Sequence, residues 1–300
     1  MTVTFMQQAG TQSADCWPVM DDEALSARPL MDEEEADALA FLALRAVHTV
    51  FLATLIRDNG LISPLNRGTF YGCRDTSGRL IGLALIGHAT LFETDDEDAL
   101  AAFARLTQAC PTAYLIRGEQ TRVAQFWHYY EPHGRRPRRI EREVLLEQRP
   151  PVAVLKPVHE LRLATSEDLN RIMQVNAALI EAECGINPLV RDPIGYRVRL
   201  LRRIEQGRCW VWVREGRLIF KADVAADTPA AAYLEGVWVN PEERRRGYGL
   251  RCLSQLGRTL LARSETVSVV INETATAEQA FYRKAGYKVA TPYDTIYLQT

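Results

Sequence analysis

The 300-residue chain has no apolar run long enough to cross a bilayer. Its most hydrophobic stretch, AFLALRAVHTVFLATLI, is interrupted by Arg45 and His48. The first thirty residues lack a basic segment followed by an apolar core, so no secretory leader is expected and the predicted location is the cytoplasm. The six cysteines (Cys16, Cys73, Cys110, Cys184, Cys209 and Cys252) include no C-x-x-C pair and have no histidine nearby at ligand spacing. That scatter points to small core residues rather than a metal centre. Neither sign of charge is in excess: 36 Lys and Arg stand against 38 Asp and Glu, a net charge of −2. That balance argues against bulk binding to nucleic acid or to an anionic membrane, and any anion site is expected to be local. What is there, 47% hydrophobic and 25% charged residues, suits ordinary globular domains, and the length suits two of them.

Periodicity divides the chain. Residues 1–26 are polar and aperiodic and read as a flexible tail. Two helices are then expected, from Glu33 and from Val47 to Arg57. A hairpin turning on Asp75-Thr76-Ser77-Gly78 follows, then a helix over Asp96–Thr107, a strand over 113–117, a helix over 121–130 and a strand over 140–146. Pro150, Pro151 and Pro157 mark a linker, 150–159. Beyond it the same order recurs: a strand over 161–164, a helix capped by Ser166, a second helix over 194–206, and a hairpin over Glu215-Gly216. A strand over 233–239, a helix, a strand over 267–272, a helix over 275–284 and a last strand near 295–298 complete it. The chain thus reads as two copies of one architecture, 27–149 and 160–300, without a residue-level repeat.

One stretch organises the second copy: YLEGVWVNPEERRRGYGL, Tyr233 to Leu250. An apolar strand stops at Asn240-Pro241, and a basic loop spaced by Gly247 and Gly249 opens into a helix. Glycines let the main chain turn and approach a ligand closely, and the first N–H groups of a helix are unpaired and carry the positive end of its dipole. With Arg244, Arg245 and Arg246 beside them they suit a pyrophosphate. In the first copy the corresponding position holds Glu93, Asp95, Asp96, Glu97 and Asp98, which would repel one.

The spacing Arg244-x-x-Gly247-x-Gly249, together with Phe281, Tyr282, Lys284, Gly286 and Tyr287 downstream, resembles the acetyl-CoA motif and the following strand-helix segment of the Gcn5-related N-acetyltransferases. The whole chain is similar to bacterial proteins that pair a degenerate N-terminal module of this kind with an intact C-terminal one. The resemblance implies an α/β (α+β) fold: two tandem domains, each a mixed, mostly antiparallel twisted sheet flanked by helices. It implies acetyl-CoA as the donor and a primary amine, on a small molecule or a peptide, as the acceptor, with direct attack in a ternary complex. No nucleic acid or membrane partner is expected, and a homodimer is admitted.

The same resemblance implies residue roles. The backbone N–H of Val237 would polarise the thioester carbonyl, and Trp238 and Val239 would continue the cofactor edge, with Val239 pairing to the pantetheine arm. Arg244, Arg245, Arg246, Gly247, Tyr248 and Gly249 would hold the pyrophosphate, and Asn272 would add a contact. Tyr282 would protonate or stabilise the leaving thiolate. The family's base position falls on Tyr233, so Glu235 stands as the candidate base, and Glu181 and Glu183 stand as candidates for gripping a cationic acceptor. Ala275 replaces the family's Asn. These departures keep a second function in play, a non-catalytic acyl-CoA sensor or assembly module.

Overall fold

A computed structural model of the chain describes residues 27–154 and 156–299, and no side chain of Glu183 or Cys184. The tail expected over 1–26 therefore lies outside the described residues. The chain divides into two compact units: Leu146–Val289 form one, and the described part of Cys16–Leu145 forms the other together with the stretch from Ala290.

In the first unit β1 (Arg28–Pro29) leads into α1 (Glu35–Ala43) and α2 (Val50–Asn59), which Gly60 ends at φ +77°. The expected hairpin is β2 (Gly68–Arg74) and β3 (Leu80–Gly87). Its turn forms because Asp75 Oδ1 accepts from the N–H groups of Ser77 and Arg79, and Gly78 takes φ +83°. A strand absent from the sequence reading, β4 (Ala89–Thr94), follows directly and pairs antiparallel with β3. No glycine-rich turn signal separates the two strands beyond Gly87 and His88. Asp96 caps α3 (Glu97–Ala109) by accepting from the Ala99 N–H. Then come β5 (Leu115–Glu119), α4 (Gln120–Tyr130) and β6 (Pro137–Gln148). Phe92, Phe103, Phe126 and Tyr130 fill the core between sheet and helices.

The second unit begins with β7 (Arg162–Leu163). The expected cap Ser166 is displaced by one residue: Thr165 and Asp168 form the capping box of a 3-10 turn that runs into α5 (Leu169–Cys184). The short α6 (Pro188–Arg191) and α7 (Pro193–Glu205) follow. The hairpin β8 (Cys209–Arg214) and β9 (Arg217–Asp227) turns on Glu215 and Gly216, both at positive φ, as a two-residue connection requires. After it come β10 (Ala231–Val239), α8 (Tyr248–Leu260), β11 (Thr266–Asn272) and α9 (Thr276–Lys284). The strand order in this unit is β11-β10-β9-β8-β7, antiparallel except for β10 with β11. Leu169, Ile172, Leu200 and Ile204 of α5 and α7 pack on Cys209, Val211 and Leu218 of the sheet.

The last strand, β12 (Lys288–Leu298), corrects the expected domain limits. It was expected to complete the second copy. Instead Tyr293–Tyr297 pair antiparallel with Leu115–Glu119 of β5, and Ile296 and Leu298 enter the first unit's core. Pairing between strands so far apart in sequence leaves no local mark, so a domain drawn as a continuous segment misassigns it. The boundary also falls within β6, whose Gln148 is buried in the second unit and donates to the Ala285 carbonyl.

Candidate active site

The site is built where β10 leaves its neighbours. With β11 it pairs only through Ala231, Ala232 and Tyr233; beyond them the two parallel strands diverge, β10 running on to Val239 and β11 to Asn272. With β9 the register passes from Glu235↔Asp223 to Trp238↔Lys221, so Gly236 and Val237 stand opposite a single residue, Ala222. This is a β-bulge, and Gly236 sits in it at φ +55°. A Cβ at Gly236 would lie 2.7 Å from Lys221 Nζ, so both the dihedral and the space require glycine. Residues 231–235 are buried, whereas Val237, Trp238 and Val239 are half-buried. The strand therefore opens to solvent at the bulge.

From Val239 the chain enters a 3-10 turn, Pro241–Glu243, capped by Asn240, whose Oδ1 accepts from the Glu242 N–H and whose Nδ2 donates to the Leu218 carbonyl. The exposed loop follows, with Arg245 at φ +62° and Gly247 at φ +77°. Two positive-φ residues this close turn the loop sharply and lead straight into the first turn of α8, whose opening N–H groups have no partner within the helix. Nothing lies within 4 Å of the place a Gly247 Cβ would take. Gly249 has the opposite constraint: a Cβ there would come to 2.7 Å from Val239 Cγ2 and 3.2 Å from the Phe281 ring, so α8 can seat its first turn on β10 and α9 only without a side chain. The loop arginines are partly engaged: Arg244 Nε donates to the Val239 carbonyl, and Arg246 pairs at 3.0 Å with Glu243, which also accepts from Arg214. Tyr248 packs edge-on against Trp212.

The remaining expected residues divide. Tyr282 is 3% exposed, its ring edge-on to Phe281 and Tyr287 at 5.3 Å. Asn272 Oδ1 accepts from the Thr274 N–H and hydroxyl, closing the turn after β11. Glu181 is exposed and accepts from Asn187 Nδ2, bracing the segment between α5 and α6, and the expectation at Glu183 falls on a side chain outside the described ones. Glu235 is corrected as a base. It is 0% exposed, and its Oε1 accepts from Arg203 Nη1 at 2.9 Å. A carboxylate enclosed by sheet and helix and tied to a guanidinium has no path to an acceptor amine.

Glu235 belongs instead to a buried cluster the sequence reading missed. Arg203 also reaches Asp223 Oδ2 at 3.3 Å, and Lys221 Nζ donates to the same oxygen at 2.6 Å. Burial by itself would raise the Asp223 carboxyl, but Lys221 and Arg203 outweigh it and hold that carboxyl below its ordinary range. Burial, reinforced by Asp223, pushes the neighbouring Cys209 thiol and Tyr196 phenol up. A signal was present: Lys221 and Asp223 stand at i and i+2, on one face and with opposite charge, in the otherwise apolar middle of β9, residues 218–226.

The first unit repeats the divergence without the loop. There β4 and β5 pair in parallel only at Ala89↔Leu115 and Thr90↔Ile116. Beyond that point Arg45 and Arg122 bridge Glu93 on one strand and Glu119 on the other. Glu93 therefore sits on a strand among arginines, not in a loop before a helix as the sequence suggested; the helix start is taken by Asp96, Glu97 and Asp98.

Among the described residues no group of three or more His, Cys, Asp or Glu side chains is placed to hold a metal, and no helix is long and apolar enough to cross a membrane.

Residues 205–289, within the second unit, match the family model described as Acetyltransferase (GNAT) domain. Among solved structures it is similar to a Drosophila protein at a TM-score of 0.66 and 14% identity, covering 92% of this chain and 99% of that one. A tandem GNAT protein from the clavulanic acid biosynthesis pathway gives 0.58 at 14% identity, with 92% and 99% covered. A GNAT-family acetyltransferase from Colwellia psychrerythraea gives 0.55 at 12%, with 91% and 100% covered. At these identities the likeness speaks to fold, and it bears out two tandem GNAT-like domains. No curated protein matches the chain.

Proposed function

We propose that the chain is an acetyl-CoA-dependent N-acetyltransferase acting on a primary amine of a small molecule or peptide, with Leu146–Val289 as the catalytic unit. The observation that carries this reading is the conjunction of the β10 bulge with the left-handed loop and α8 N-terminus a few residues later. The residues fit the cofactor: the loop is exposed, Gly247 leaves open space, and Gly249 lets the helix start approach β10.

Bound acetyl-CoA supplies an activated acetyl thioester. The N–H groups opening α8, with Arg245 and the flanking arginines, would bind the pyrophosphate. The N–H of Val237 would donate to the carbonyl oxygen as charge builds there during amine attack, and Val239 would hold the cofactor's arm in register. Tyr282 would give a proton to the departing thiolate and regain one from solvent, and with Glu235 enclosed the proton released by the acceptor amine would pass to solvent water. The first unit, whose strand opening is bridged by arginines and carboxylates, would not bind the cofactor and would serve assembly or acceptor selection.

The test is calorimetric titration with acetyl-CoA and with CoA, beside the Arg244→Glu, Gly247→Asp double variant. Micromolar binding by the wild type, weakened at least about 100-fold in the variant, is the expected result; equal binding by both proteins would remove the loop from the cofactor site. A screen of primary amines by thiol release then identifies acceptors. The burial of Glu235 favours one second reading, a CoA-binding module without turnover, which predicts binding and no thiol release with any amine.

A further inference from the structure

The bulge leaves one peptide unit, Gly236–Val237, out of the regular β9 register, and the chain spends a buried cation on it. Lys221 Nζ donates to the Gly236 carbonyl oxygen at 3.0 Å, and Lys221 is 1% exposed. A buried ammonium is strongly unfavourable unless paired. Here Asp223 Oδ2 pairs with it at 2.6 Å, and Asp223 is itself steadied by Arg203 at 3.3 Å and by Asn176 Nδ2 at 3.4 Å. Two cations, Lys221 and Arg203, and two carboxylates, Asp223 and Glu235, thus form a formally neutral group joining α7, β9 and β10. Stability alone does not account for it, because well-packed apolar side chains commonly replace such groups without loss.

We infer that Lys221 is a positioning residue for acetyl transfer: by gripping the carbonyl end of the Gly236–Val237 peptide it sets the direction of the N–H at the other end. The inference rests on the reading of Val237 as the carbonyl donor. Its physics is that of a planar trans amide. The C=O and N–H of one peptide unit are rigidly opposed, so fixing the oxygen on Nζ fixes the N–H, which at a glycine bulge would otherwise swing with the free dihedrals of Gly236. A charged donor on the oxygen also polarises the amide and strengthens the hydrogen bond given by its N–H. The bulge takes this peptide unit out of the regular β9 register, and Lys221 meets its oxygen there.

The experiment compares wild type with Lys221→Met, Lys221→Arg and the double variant Lys221→Met, Asp223→Leu, the last keeping the fold if loss of the ion pair alone unfolds the single variant. CoA and acetyl-CoA affinities are measured by calorimetry, and the carbonyl stretch of bound acetyl-CoA labelled with carbon-13 at the carbonyl is read by infrared difference spectroscopy. Expected are CoA affinities within about threefold of wild type in every folded variant, loss of the preference for acetyl-CoA over CoA, and a stretch that rises toward its free-solution value in both Met variants. Lys221→Arg restores part of the shift. A folded Met variant that keeps the wild-type stretch and preference overturns the inference and leaves the acetyltransferase reading standing. Failure of the wild type to bind acetyl-CoA instead overturns that reading. The clamp is then judged on the free protein by the Val237 amide resonance, whose displacement in Lys221→Met supports it and whose constancy refutes it.

Discussion

At the scale of single residues, Gly236 and Glu235 show how little of the site is side chain offered to solvent. Gly236 combines φ +55° with a Cβ position already occupied by Lys221 Nζ. Gly236→Ala should destabilise the second unit by about 1–3 kcal/mol and displace the bulge, read as a lower urea midpoint for that unit and an altered Val237 amide resonance. Glu235 has the residue type of a general base and the surroundings of a structural ion. Glu235→Gln should weaken the second unit by about 3–5 kcal/mol, because Arg203 keeps its buried charge and loses a carboxylate. Adding Arg203→Met should recover part of that loss. Urea unfolding of both variants checks the pair, and an unchanged midpoint in Glu235→Gln would mean the ion pair contributes nothing.

Among the elements, the β3–β4 bend carries a pH dependence that its sequence does not announce. His88 stacks on Tyr114 at 5.0 Å between ring centroids, and burial, helped by Arg67, pulls its pKa down to about 4. An unfolded chain binds the proton near pH 6.5, so the neutral folded form is favoured above that value. Its contribution falls as the pH drops from 6.5 through 4, by up to about 3 kcal/mol. The first unit's urea midpoint should decline over that window in wild type, and less steeply in His88→Gln. The helix start at α8 and the one at α3 make a second comparison. The first follows two left-handed residues and is open; the second is capped by Asp96 and flanked by acids. Equivalent elements of the two units therefore differ in what their backbone N–H groups can receive.

For the molecule as a whole, the consequence of β12 is that the last residues of the chain stabilise the first unit. Thr295 donates to the buried Glu143, which also meets Arg117, and Ile296 and Leu298 are core residues there. Removing residues 290–300 should strip hydrogen-exchange protection from β5 and β6 residues up to Leu145, while β8 to β11 retain theirs. Loss of protection in β10 and β11 with β5 unchanged would show that the strand belongs to the second unit after all. On the expected outcome a C-terminal truncation reads as a lesion of the first unit, which matters for any attempt to isolate the catalytic one.

Local chemistry made much of this readable from the residues alone. The helices apart from the short α6, the two hairpins and the strand-loop-helix around Arg244 to Gly249 were legible because turn residues, periodicity and glycine requirements act over a few positions. The short β4 was not, since no turn residue sets it apart from β3. The tertiary structure alone decided the rest. It turned Glu235 inward onto Arg203, brought Lys221 and Asp223 beneath the bulge, placed Glu93 on a strand between arginines and gave β12 to the first unit. Burial, ion pairing and strand partnership are properties of residues that meet across the fold, and a linear pattern carries the composition of such meetings but not their partners.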